Sequence, residues 1–246
     1  MNDILRVQLY GVEAGILRPA VERFPNLILV HEHPDTVICY GGDGTLLHAE
    51  LKWPGVPKVP ILNSKRGHRC IPHPPEDVVA GLSQGSLVRN DYMKLAGVLR
   101  RQGEPDKALL ALNEFNVHMG RINSAVRFQL WLDGEPYDDG LEVLGDGFVI
   151  STPFGSTAYF SQITHGIFTT GIGIAFKYTR EHINHLVLPD TTEARVLITR
   201  GPAVLAFDSA PEYLTLEEGD ELEVRKHEEG AIILTCSPVK RLDEPF

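Results

Sequence analysis

Five consecutive residues, Gly41-Gly42-Asp43-Gly44-Thr45, carry the clearest chemical signal in the chain. They follow the apolar run 36–40 and open a helix-like stretch that begins near Thr45. Glycines at such a junction let the backbone approach a bulky anion and reach positive φ at little steric cost. The amide groups of the helix start, aided by the helix dipole, then favour a phosphate. A carboxylate at Asp43 would repel that ligand unless it had a task. The task that fits is accepting a hydroxyl proton during phosphoryl transfer. Taken alone, Gly-Asp-Gly also reads as an ordinary tight turn. The spacing matches neither the Walker A loop nor the Rossmann glycine pattern.

Two further groups add to it. Asn113-Glu114 closes the apolar run 109–112 and is either a turn or a place that holds hydroxyl groups. Asp146-Gly147 leads through an apolar strand into Ser151-Thr152-Pro153-Phe154-Gly155-Ser156-Thr157-Ala158-Tyr159. That loop has many neutral donors and little charge, which suits ribose, base edges or pyrophosphate oxygens.

The elements that must position these residues fall into two regimes. Up to about residue 95 the chain alternates in the α/β manner. Strands are predicted over 6–10, 27–30, 36–40 and 59–62, with helices over 16–24, from 45 and over 76–82. From residue 96 the pattern changes to short strands: 108–118, 125–132, 141–150, 193–198, 203–207, 221–225 and 231–236. Asp133-Gly134 between apolar runs is a hairpin signal. Alternation at Val126, Phe128, Leu130 and Leu132 predicts a sheet with one buried face. The expected fold class is therefore α/β plus β, a Rossmann-like α/β domain over 1–95 followed by a β-sandwich-like domain over 96–237, with a tail at 238–246.

Composition narrows the function. The 246 residues are 43% hydrophobic, enough for a real core, and disorder as the main state is excluded. A net charge of −10 argues against a general nucleic-acid binder. The three cysteines are far apart and form no CxxC pair, which points to a reducing compartment. The N-terminus lacks a signal-peptide pattern. Residues 148–176 contain no Asp, Glu, Lys or Arg, yet are too rich in Ser, Thr and Gly to span a bilayer. They read as buried, loop-rich structure or the wall of a cleft. A cytoplasmic protein with no membrane or nucleic-acid partner is expected.

The three boxes, in this order over roughly residues 36–160, resemble the NAD kinase family, which belongs with the diacylglycerol-kinase-like enzymes. The family's GGDGT box matches Gly41 to Thr45, its Asn-Glu pair matches Asn113-Glu114, and its DG-x-x-x-STP-x-GSTAY box matches Asp146 to Tyr159. The resemblance implies phosphoryl transfer from ATP or polyphosphate to the 2′-hydroxyl of the adenosine ribose of NAD, making NADP. It implies that Asp43 is the base and that Gly41, Gly42, Gly44 and Thr45 cradle phosphate. Asn113, Glu114, Asp146, Ser156, Thr157, Ala158 and Tyr159 would hold the dinucleotide or nucleotide. The family also implies Mg²⁺ or a similar divalent ion, and a homodimer or homotetramer.

The chain departs from the usual bacterial pattern after Asn63. Instead of a Leu-Gly-Phe segment it carries Ser64-Lys65-Arg66-Gly67-His68-Arg69-Cys70-Ile71-Pro72. The Gly67-His68-x-Cys70-x-Pro72 part resembles the mitochondrial-type branch of the family. Asn63, Lys65 and Arg66 are candidate substrate contacts, the two cations (with Arg69) either neutralising a triphosphate or standing solvated in a loop. The Gly-Gly-Pro segment expected after Tyr159 is also missing. A related kinase acting on a lipid, sugar or NADH hydroxyl, and a non-catalytic NAD(P) sensor, are the alternatives. No metal site is expected. His182 and His185, three apart near Glu181, lack further ligands. Asp138-Asp139-Gly140 reads as a turn and Glu217 to Asp220 as a solvated hairpin tip.

Overall fold

A run of β-forming residues that ends in glycines, followed by Leu46, Leu47 and Ala49 at helical spacing, produces the strand–turn–helix unit on which the first site rests. In the computed structural model, described over residues 3–64, 67, 69–179 and 183–236, that unit is β3 (Thr36–Gly41) leading into α2 (Asp43–Lys52). Around it lie β1 (Leu5–Tyr10), α1 (Arg18–Val21), β2 (Leu27–Leu29), β4 (Lys58–Leu62), α3 (Pro75–Gln84) and β5 (Val88–Tyr92). The helix predicted over 16–24 is shorter than expected, a 3₁₀ turn at Ala14–Leu17 and the single turn of α1. Pro19 inside this stretch removes a backbone donor and Pro25 follows Phe24, so helical spacing of apolar residues is not propagated.

The chain then builds a second unit, Met93–Glu229. Its strands are β6 (Leu95–Arg100), β7 (Lys107–Ala111), β8 (Glu114–Met119), β9 (Val126–Leu132), β10 (Glu135–Pro136), β11 (Val143–Gly145) and β12 (Gly147–Ser151). After α4 (Tyr159–Thr164) come β13 (Ile172–Lys177), β14 (His185–Leu188), β15 (Ala194–Arg200), β16 (Ala203–Phe207), β17 (Leu214–Leu216) and β18 (Glu221–Lys226). They form two antiparallel sheets, ordered β10-β9-β15-β18-β6-β7, with β11 also on β9, and β14-β13-β12-β8-β16-β17. Both contribute to one core that includes Leu95, Phe115, Phe128, Phe148, Phe176 and Val196. The alternation along β9 holds: Val126, Phe128 and Leu130 are buried and Leu132 half-buried. Asp133 and Gly134, at φ 53 and 85, make the expected hairpin turn.

The last described strand, β19 (Ala231–Thr235), corrects the expected domain limits. It does not extend the second unit but inserts into the first sheet, whose order is β2-β1-β3-β4-β19-β5. The first unit thus joins the chain up to Tyr92 with the segment from Gly230. Pairing is parallel from β2 to β19 and antiparallel only between β19 and β5. Val7, Ile38, Val59 and Ile61 of this sheet pack with Val78, Val79 and Leu82 of α3.

The predicted strand 108–118 divides into β7 and β8 at Leu112-Asn113, and the two halves belong to different sheets. The Glu217 to Asp220 turn likewise joins β17 of one sheet to β18 of the other, so it is not a hairpin tip. Asp220 is buried there, accepting from the Glu217 amide at 3.0 Å and from Arg101 Nε at 3.2 Å.

Candidate functional sites in the two units

In a mostly parallel sheet, ligands bind beyond the carboxyl ends of the strands, where helix N-termini point. Asp43 stands at that end of β3, as the first residue of α2 with Gly42 as its cap. Its Oδ1 accepts the Arg69 backbone N–H at 3.0 Å and the Cys70 thiol at 3.6 Å. The glycines act differently from expectation. None of Gly41, Gly42 and Gly44 has a positive φ, and Gly42 lies at φ −108. Gly41 is needed for space instead: a Cβ there would lie 2.2 Å from Thr45 Oγ1. Thr45 is thus packed back over the turn that precedes it.

Asn63 N–H donates to the Gly41 carbonyl at 2.8 Å, and its side-chain amide donates to Glu13 Oε2 at 2.9 Å. Lys65, Arg66 and His68 lie outside the described residues. Arg69 sits beside Tyr92 and Asp43, and burial draws its guanidinium pKa down against the pull of both.

In the second unit the Asn-Glu pair and the Ser/Thr loop, 38 residues apart in sequence, are fastened to each other. Thr152 N–H donates to the Asn113 carbonyl at 2.9 Å, and Thr152 Oγ1 donates to the Leu112 carbonyl at 2.6 Å. Ser151 Oγ reaches the Asn113 carbonyl at 3.3 Å. Gly155 is obligatory at this join, because a Cβ would fall 2.3 Å from Asn113 O.

Glu114, the first residue of β8, is 5% exposed and its Oε2 has no hydrogen-bond partner. Burial, then the negative charge of Asp208, push its carboxyl up to about 8, against the pull of Lys177. Lys177, at the end of β13, is drawn down to about 8 by burial, with Glu114 and Asp146 opposing that shift. Its ammonium donates to the Val117 carbonyl at 2.8 Å and to Asn116 Oδ1, and lies 6.0 Å from the Tyr159 ring centre. An acid and a base that are both desolvated, next to Asp146 and Tyr159, are groups a polar ligand can neutralise or bond.

The rest of the loop divides by exposure. Thr157 and Tyr159 are exposed and Ala158 half-buried. Ser156 is fully buried, and its hydroxyl donates to the Pro153 and Phe168 carbonyls at 2.8 and 3.1 Å. These two bonds tie Ser156 into the loop's own framework. Sequence reading missed Asp208 and Lys177, since each follows an apolar strand without any local motif. His185 lies on strand β14, its ring against Phe160, so no helix face carries it. His182 and Glu181 are outside the described residues.

The structure superposes on yeast NADH kinase complexed with NADH with a TM-score of 0.83 at 17% identity, covering 97% of this chain and 85% of that one. On an Archaeoglobus fulgidus NAD kinase in complex with ATP the TM-score is 0.74 at 19% identity, covering 93% of each chain. No family model matches the chain. Among curated relatives, an NAD kinase of Marinobacter nauticus is 34% identical over 137 residues, 53% of this chain and 45% of that protein. One of Halorhodospira halophila is 29% identical over 213 residues, 78% of this chain and 66% of that protein. The match thus spans under half of the first relative and about two thirds of the second. Over these stretches the chain is similar in sequence to NAD kinases, and its fold is similar to the two solved structures.

Proposed function

We propose that the protein transfers a phosphoryl group from ATP or polyphosphate to the 2′-hydroxyl of the adenosine ribose of NAD, making NADP. The observation that carries this reading is Asp43 at the amino end of α2, its carboxylate held by the Arg69 amide and the Cys70 thiol. Such a group can take the hydroxyl proton while the oxygen attacks phosphorus, and the adjoining helix amides favour the phosphate oxygens. Gly41, Gly42, Gly44 and Thr45 line this turn, with Asn63 beside it. In the second unit Asn113, Glu114, Asp146, Thr157, Ala158 and Tyr159 are assigned to the dinucleotide, with Lys177 added by its place beside Glu114.

Among the described residues no group of three or more His, Cys, Asp or Glu is gathered to hold a metal ion. The divalent cation, Mg²⁺ or similar, is assigned to the nucleotide substrate it accompanies. The Gly67-His68-x-Cys70-x-Pro72 pattern supports a place in the mitochondrial-type branch, with a homodimer or homotetramer as the working form. All three cysteines are free thiols, in keeping with a reducing cytoplasm. No described helix is long and apolar enough to cross a membrane.

The test is NADP formation by purified protein from NAD with Mg²⁺-ATP or polyphosphate, beside Asp43→Asn. Loss of the base should cost about 10²–10⁴ in rate with NAD binding retained. Wild type that forms no NADP, or a variant as fast as wild type, overturns the reading.

A further inference from the structure

The segment after Asn63 departs from the common family pattern, and its described part lies against Asp43. Ile71 is tied to the first sheet as a short parallel bridge to Ile61. Its N–H donates to the Pro60 carbonyl at 2.8 Å, and Leu62 N–H donates back to the Ile71 carbonyl at 3.0 Å. This fastening delivers the Arg69 amide and the Cys70 thiol to the same carboxylate oxygen, Asp43 Oδ1, at 3.0 and 3.6 Å. Gly67 closes in from the other end of the segment: a Cβ there would stand 2.6 Å from Leu62 Cδ1 and 3.5 Å from Asp43 Oδ1.

We propose that Cys70 is a positioning residue for Asp43: its thiol, with the Arg69 amide, pins Oδ1 and so sets the direction in which the carboxylate meets the acceptor hydroxyl. This rests on the reading of Asp43 as the base. The chemistry of the thiol agrees with that role. Cys70 is 9% exposed, and burial beside the Asp43 charge pushes it up to about 12. It therefore stays S–H at neutral pH and acts as a donor rather than as a nucleophile. A carboxylate turned away from its productive direction loses rate steeply, because general-base catalysis depends on alignment.

The experiment compares Cys70→Ala and Cys70→Ser with wild type. Alanine removes the donor and should lower kcat about tenfold while KM for NAD stays within about twofold. Serine keeps a donor and should recover most of the loss. Independently of turnover, the infrared S–H band that Cys70→Ser abolishes should move to higher frequency in Asp43→Ala, as a thiol does when it loses an ionised acceptor. An alanine variant with wild-type kcat, or an S–H band indifferent to Asp43→Ala, overturns the proposal. If wild type makes no NADP, the reading of the function fails, whereas the S–H band still decides whether Cys70 is bound to Asp43. If Cys70→Ala does not fold, the band and the serine variant decide.

Discussion

The Asp208 carboxylate accepts the Asn113 N–H on Oδ1 and the Leu112 N–H on Oδ2, both at 2.7 Å, across 95 residues of sequence. Asp208 itself has a φ of 44, in the left-handed region that Asp tolerates better than most residues. The crossing from β7 to β8 leaves two amides without strand partners, and one side chain from beyond β16 satisfies both. That is what allows Asn113 and Glu114 to stand where the strand breaks.

Asp208→Ala removes two charge-assisted bonds and leaves both amides unsatisfied. An expected loss of about 2–3 kcal/mol should appear as an earlier thermal melt. The same change should raise KM for NAD, if Asn113 and Glu114 hold the dinucleotide. A melt unchanged from wild type would refute the bracing role.

Glu114 gives a pH dependence of defined sign. Its folded pKa, about 8, lies above the ordinary 4.5, so between those values the folded state holds a proton that the unfolded state has released. Its stabilising contribution is complete below pH 4.5 and is lost as pH rises through 8. Lys177 acts in the next window. Lowered from 10.5 to about 8, it contributes stability above pH 10.5 that is lost as pH falls through 8. Melting of wild type against Glu114→Gln should therefore diverge between about pH 5 and 8, with wild type declining more steeply. Parallel curves would show that Glu114 is not buried as described.

Gly155→Ala sets a methyl 2.3 Å from the Asn113 carbonyl oxygen, a backbone atom that no rotamer change can move aside. Overpacking of that kind costs about 1–3 kcal/mol. If Asn113 holds the dinucleotide as proposed, NAD binding should weaken as well. Equilibrium titration with NAD beside a thermal melt separates the two effects, and a variant matching wild type in both would exclude the clash.

Gly41→Ala meets a side chain instead, Thr45 Oγ1 at 2.2 Å. A double-mutant cycle with Thr45→Ala should show a coupling of about 0.5–3 kcal/mol, the second change partly relieving the first. Simple additivity would mean that Thr45 does not occupy that space.

The sequence made β1 to β4 of the first sheet and the chemical boxes readable because strand periodicity, glycine turns and paired polar residues are local signals. Residues 36–45 announce strand, turn and helix within ten positions, and β16 matches its expected span of 203–207. What stayed hidden depends on contacts distant along the chain. The run 108–118 is apolar enough to look continuous, and only Asp208 explains why it divides at Leu112-Asn113. The tie of the Ser156 hydroxyl to the Phe168 carbonyl, twelve residues on, likewise has no local signal. β19 has the composition of any short strand, so nothing local states which sheet receives it.

That last strand has a consequence for biosynthesis. β4 and β5, both complete before residue 93, are bridged only by β19. A nascent chain that has emerged through residue 229 exposes two unpaired sheet edges, the usual template for intermolecular strand addition. Maturation of the half that bears Asp43 must await synthesis of residues 230–236, and a chain that stops upstream of Gly230 would be a sticky, incomplete polypeptide rather than a working fragment.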